Sequence, residues 1–227
     1  MAELYSKKYN YVVKYYPKSG CSTLKFLFRE CHSEEIPEKN KDSLRFSKFF
    51  KKIPNCRPIF SLIVVRNPYS RIVSTFTDKV CGRHNHVGQK ISLPKVTFFH
   101  FVHFLLRLHR QKKRFQKIDF HLIRQDHNYL KTDIIVKLEN LKNELIKNYQ
   151  NSQTQDLVPI IENSLVNKVN VTNKDKSKTN FVGMTEYSLN FSGPWSYFKY
   201  FYNDEIKDMV DEIYDNEFKI FGYPKVI

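Results

Sequence analysis

Ile59-Phe60-Ser61-Leu62-Ile63-Val64-Val65-Arg66-Asn67-Pro68-Tyr69-Ser70-Arg71-Ile72-Val73-Ser74-Thr75-Phe76 is the stretch that decides the fold. Its first seven residues are almost continuously apolar and rich in β-branched side chains, the pattern of a strand buried on both faces of a parallel sheet. Asn67 then offers a capping side chain and Pro68 a first-turn proline, which predicts a helix to about Val80. A buried strand turning directly into a helix is the building unit of an α/β protein.

The same unit recurs upstream and downstream. Tyr9–Tyr16 is aromatic and β-branched and is bounded by Pro17 and Gly20, so it reads as a strand. A helix capped by Ser22 or Thr23 follows, to about His32, with Leu24, Leu27 and Phe28 on one face. Residues 33–57 read as loop with a short helix around Leu44–Phe50, and residues 81–95 as a polar His/Gly loop. Val96–Arg110 reads as a helix with Phe98, Phe101, Val102, Leu105 and Leu108 at helical spacing. Asp133–Leu138 reads as a third strand followed by a helix to about Tyr149. Residues 150–192 read as a mobile insert or substrate-side lobe with a short helix at Val158–Val166, and Asn203–Phe218 as the closing helix. Alternating units predict one domain over 1–227 with a central parallel sheet and helices on both faces. Ligands of such sheets sit beyond the carboxyl ends of the strands. Pro17–Ser22 and Arg66–Pro68 both fall there, on one edge of the sheet.

Composition narrows the classes. With 41% hydrophobic residues, 19 Phe and 14 Tyr, the 227-residue chain has ample material for a core, which excludes disorder. No run approaches the roughly 18 apolar residues of a membrane span, and Met1–Lys8 has no apolar signal core. Cys21, Cys31, Cys56 and Cys81 form no C-x-x-C pair, so reduced intracellular thiols are expected and no metal site. These features predict a cytoplasmic protein without stable membrane insertion; a Golgi lumen is the alternative if the chain is a fragment. Asn170-Val171-Thr172 and Asn190-Phe191-Ser192 match the glycosylation pattern by chance in an Asn-rich chain. Charge is lopsided: residues 1–125 hold 26 Lys and Arg against 8 Asp and Glu, within a total of +15. Such a field draws anions to the N-terminal half.

The two turns carry the chemistry. In Pro17-Lys18-Ser19-Gly20-Cys21-Ser22-Thr23, Gly20 lets the backbone curl, the free N–H groups at the helix start form an anion nest, and Lys18, Ser22 and Thr23 add donors. An ordinary β-turn with a capping serine is the alternative. The pattern G-x-x-x-x-G-K-[ST] is absent, which speaks against a magnesium-triphosphate loop. In the second turn, Arg66 can hold a phosphate through two parallel N–H bonds, and Ser74 lies two turns into the helix. Arg71 is expected to be structural, pairing with an acid or a strand-end carbonyl. Two anion-seeking turns on one edge call for a ligand with two separated phosphate groups.

Together, Pro17–Lys25 and Val65–Lys79 resemble the two donor motifs of sulfotransferases that use 3′-phosphoadenosine 5′-phosphosulfate (PAPS). The likeness is to the carbohydrate (Golgi-type, family 2) branch, in a soluble, bacterial or viral-like version. Further stretches are similar in the right order: Asp119-Phe120-His121 with Gln125, Thr132–Glu139, and Tyr202–Glu205 through Phe218–Tyr223. The resemblance implies a three-layer, P-loop-like α/β fold. It implies that Lys18, Ser19, Gly20, Cys21, Ser22 and Thr23 surround the phosphosulfate, and that Arg66 and Ser74 hold the 3′-phosphate. The product would be adenosine 3′,5′-bisphosphate and the partner a glycan or other hydroxyl compound, not nucleic acid.

In-line transfer of a sulfuryl group builds charge on the bridging oxygen, where Lys18 is the expected stabiliser. The acceptor hydroxyl needs a base with a pKa near neutrality, which favours histidine. His121 is the first candidate, then His84 and His86. His100, His103 and His109 share the aromatic helix and read as packing or surface residues; Glu30 is an outside candidate, and Glu139 is read as structural. Arg107, Arg110, Lys112, Lys113 and Arg114 could grip an acidic sugar. The competing functions are a kinase-like phosphotransferase and a basic nucleic-acid-binding module, the latter without a supporting motif.

Overall fold

The computed structural model describes residues 2–35, 57–81, 86–91, 96–126, 132–150, 153–165 and 195–227. They fall into two compact units, Met1–Arg66 with Asn128–Asn170 and Asn67–His127 with Val171–Ile227. Numbered along the chain, the first unit contains strands β1 (Ala2–Ser6), β2 (Tyr11–Tyr15), β3 (Phe60–Val65) and β4 (Ile134–Lys137) and helices α1 (Cys21–Cys31), α5 (Leu141–Gln150) and α6 (Val158–Ser164). The second contains α2 (Pro68–Lys79), α3 (His86–Ile91), α4 (Phe98–Arg110), α7 (Asp204–Ile213) and α8 (Asp215–Phe221).

The sheet has the order β1-β2-β3-β4. β2, β3 and β4 run parallel, with Tyr15 beside Val64 and Val64 beside Val136, so their carboxyl ends finish together. β1 is antiparallel to β2 and, among the described residues, is the departure from the parallel sheet read from sequence. It is a hairpin partner, turned by Asn10 at φ 50, whose side chain accepts from Tyr5 Oη at 2.7 Å. One sheet face, including Val13, Leu62, Val64 and Val136, packs against Leu24, Leu27 and Phe28 of α1, Leu145 of α5 and Ile161 of α6. On the opposite face Val12, Ile63 and Val65 are buried too, as a continuous apolar run requires.

The first unit also encloses His32, which is fully buried. Its Nε2 lies 3.0 Å from Tyr11 Oη, and its ring lies 4.4 Å from that of Phe28. Burial, helped by the charge of Lys8, lowers its pKa to about 4. The unfolded chain therefore takes up a proton at this site below pH 6.5 while the folded chain resists until about pH 4. The associated stability is complete above pH 6.5 and declines as the pH falls towards 4, by about 3 kcal/mol in all. Urea melts at pH 7.0, 5.5 and 4.5 should show this slope, and His32→Gln should flatten it. An equally steep slope in the variant would move the acid sensitivity to another group.

In the second unit, α2 begins as its sequence predicts. Asn67 accepts from Tyr69 N at 2.9 Å and Pro68 occupies the first turn. Phe76 contacts Phe98 and Phe101 with ring centroids 5.3 and 5.6 Å apart, and α4 packs along α7. Arg71 and Glu217 are both buried. Arg71 Nη2 reaches Glu217 Oε1 and Oε2 at 2.9 and 3.1 Å, and its Nη1 donates to Ile123 O at 3.0 Å. Gln125 completes the knot by donating N and Nε2 to the same carboxylate at 2.7 and 2.8 Å. Burial pushes the Glu217 carboxyl up, against the opposing pull of Arg71 and Gln125. The structural role expected of Arg71, on an acid and a carbonyl at once, is what these bonds describe.

Three further local expectations need correction. Residues 81–95 are not loop throughout, because α3 spans His86–Ile91. The closing helix is two, α7 and α8, parted at Tyr214 with φ −113; neither proline nor glycine marks the break. α1 is capped by Gly20 rather than Ser22 or Thr23, which lie inside its first turn. The helix expected at Leu44–Phe50 and most of the insert, residues 166–192, lie outside the described residues; α6 matches the short helix expected within it.

Candidate active site

The first turn leaves β2 at Tyr16 and enters α1 at Cys21. Tyr16 O accepts from Ser19 N at 3.2 Å and from Cys21 Sγ at 3.2 Å, which ties the turn across its base. Lys18 and Gly20 both take left-handed backbone angles, φ 66 and φ 79. At Gly20 this freedom is needed twice over. A Cβ there would also stand 2.5 Å from Leu138 Cδ1, just past the end of β4. No side chain caps α1 and no acid lies in its first turn. Its leading N–H groups, with the exposed Ser22 and half-buried Thr23, make a positive helix start.

Arg66 joins this turn from the end of β3. It is 2% exposed, and its Nη1 donates to Lys18 O at 2.8 Å. The two motifs that sequence placed on one edge therefore meet in a hydrogen bond within one unit. Lys18, Ser19, Gly20, Cys21, Ser22, Thr23 and Arg66 form one constellation, with Ser19 fully buried beneath it. Ser74 lies in the second unit, on α2 and partly exposed.

A family model described as the sulfotransferase family matches residues 3–224. The chain belongs to the sulfotransferase family. No curated protein and no solved structure matches it. As a sulfotransferase it is a transferase of sulfuryl groups on a mixed α/β, P-loop-like fold, and its second substrate is a hydroxyl compound. Among the described residues no helix is long and apolar enough to cross a membrane.

For a sulfotransferase the histidines matter next. His121 sits in a short 3₁₀ turn, Phe120–Leu122, started by Asp119. Asp119 Oδ1 accepts from His121 N at 2.6 Å and lies 2.7 Å from His121 Nδ1. A largely buried carboxylate thus fixes one ring nitrogen, while the imidazole stays about one-third exposed. His86 belongs to α3, and His84 lies outside the described residues. His100 is part of the α4 capping box with Thr97, His103 lies against Phe99, and His109 is lowered by burial and by Arg124. Glu30 pairs with Arg29 at the surface, and Glu139 is exposed.

Asp119 is the residue whose role sequence reading missed. The signal was present: an aspartate two residues before His121 is the spacing of a side chain that turns back on the backbone. Arg110, expected on an acidic ligand, is held by both arms on Glu212 at 2.8 and 2.7 Å.

Proposed function

We propose that this sulfotransferase moves the sulfuryl group of PAPS to a hydroxyl of a carbohydrate or sugar-containing acceptor by in-line displacement. The observation that carries the reading is the Arg66 to Lys18 hydrogen bond beside Gly20. It sets a guanidinium and an uncapped helix start at one sheet edge, in a cradle that a Cβ would fill. When bound, PAPS supplies an activated sulfuryl group whose leaving group is a phosphate. The N–H groups of Gly20, Cys21, Ser22 and Thr23 and the two hydroxyls bind the phosphosulfate end; Ser19 supports them from below. Lys18 neutralises the charge that grows on the departing oxygen. Arg66 holds the 3′-phosphate with its guanidinium, and Ser74 is the further donor that the motif resemblance implies for it.

His121 takes the acceptor proton at Nε2, and Asp119, against Nδ1, fixes the tautomer and stabilises the imidazolium. His86 and His84 are the reserve candidates. The exposed Arg107, Lys112, Lys113 and Arg114 support an acceptor with acidic character.

Thermal denaturation tests the donor. Adenosine 3′,5′-bisphosphate at about 100 times its Kd should stabilise the protein by about 2.7 kcal/mol, a rise of about 5–10 °C, without magnesium. Arg66→Ala should remove the rise and Arg66→Lys should restore only part of it, with folding checked by circular dichroism. A response to magnesium triphosphate instead, or a full rise in folded Arg66→Ala, would overturn the reading.

A further inference from the structure

The second unit carries a cleft of about 500 Å³ outside the donor turns. Lys112, Lys113, Arg114 and Arg124 line it against one acid, Asp126, over the buried ring of Phe115. Arg124 is paired with Asp126 at 3.0 Å. Lys112, Lys113 and Arg114 are exposed, and among the described residues none has an acidic partner. Three uncompensated cations therefore border one concave surface.

The backbone gives a second, independent observation. α4 ends in a Schellman motif, with Lys113 N donating to Leu108 O at 2.9 Å and Lys112 N to His109 O at 2.8 Å. Lys112 takes the left-handed position of that motif, φ 53, where glycine is the residue without strain. The helix dipole does not account for it, because Arg107, His109 and Arg110 already stand in the last turn. A strained lysine kept at the mouth of a cationic cleft points to use of its charge.

We propose that this cleft is a second anion site, which takes an ester sulfate or phosphate group carried by the acceptor, so that acceptors already bearing such a group are preferred. The word acceptor rests on the sulfuryl-transfer reading; the anion site rests on the cleft and on Lys112. The turn Phe115–Lys117 that floors the cleft packs against Phe120–Leu122, the turn bearing His121. A ligand anchored by its anionic group is thereby held beside the element that carries the proposed base.

Isothermal titration tests it, with a sulfated oligosaccharide, its desulfated counterpart, inorganic sulfate and a single-stranded oligonucleotide of equal charge. Each is run with and without adenosine 3′,5′-bisphosphate. The sulfated chain should bind at least about tenfold tighter than the desulfated one. Lys112→Gly and Lys113→Gln should each weaken it by about tenfold, the loss of one charge-assisted contact. Lys112→Gly should at the same time raise Tm by about 2–4 °C as the backbone strain is relieved. A merely structural lysine would give the Tm rise without the affinity loss, which overturns the proposal. Equal affinity for the two oligosaccharides, or tighter binding of the oligonucleotide, also overturns it. Inorganic sulfate matching the oligosaccharide would make the free ion, and not the acceptor, the ligand. Absence of adenosine bisphosphate binding in the wild type would remove the donor reading alone, since the titrations without it still report on the cleft.

Discussion

Lys18→Ala should lower kcat by about 10²–10³-fold, the effect of removing one preorganised charge from the oxygen on which the transition state builds its own. The loss should fall on kcat more than on the affinity for adenosine 3′,5′-bisphosphate. That product still meets the helix start and Arg66, and the Lys18 carbonyl that Arg66 holds survives the substitution. Relief of the left-handed strain at φ 66 will not rescue the variant, because alanine inherits the same strain. Lys18→Arg keeps a cation but spreads it over a plane, and should recover less than a tenth of the lost rate. Single-turnover transfer of labelled sulfate separates the chemical step from release. A Lys18→Ala enzyme that turns over within a factor of about three of wild type would show that the charge is supplied elsewhere.

Glu217→Ala should produce the largest loss of stability, about 3–5 kcal/mol, because it leaves the guanidinium of Arg71 buried without its counter-charge. In a chain of this size that corresponds to a fall in Tm of about 10 °C. Gln125 adds to the damage, since its N and Nε2 both lose their acceptor. Pairing Arg71→Met with Glu217→Met should recover part of the loss, and the shortfall measures what Gln125 contributes. Calorimetry on the two single variants and the double variant gives the coupling directly. Near-additive effects would mean that the two side chains do not depend on one another.

Much of this was readable from local chemistry. The apolar run before Val65 and the Asn67-Pro68 start fixed β3 and α2 to within a residue or two, because burial and capping there are decided by adjacent positions. The two strand-end turns were legible for the same reason: Gly20 and Arg66 declare themselves by residue type and by their place after β2 and β3. β1 was missed because Ala2–Ser6 is short and earns its pairing only from β2. The Glu217 partner of Arg71 lies 146 positions away, and no periodicity announces a contact at that distance. The Asp119–His121 pair is local, yet its meaning depends on which ring nitrogen remains outward, and that is a matter of geometry.

The close approach of Leu138 to Gly20 has an evolutionary reading. The wall behind the first turn is an aliphatic side chain that has no polar atom to offer a ligand, so it escapes notice in any catalogue of reactive groups. Nevertheless it limits which residues position 20 can accept. Alanine at 20 would push the Leu138 side chain aside and would carry the unfavourable torsion, and trimming 138 first would open the space but leave that torsion. Neither step is rewarded alone, so the two positions should drift together or not at all, and libraries aimed at a new donor ought to vary them as a pair.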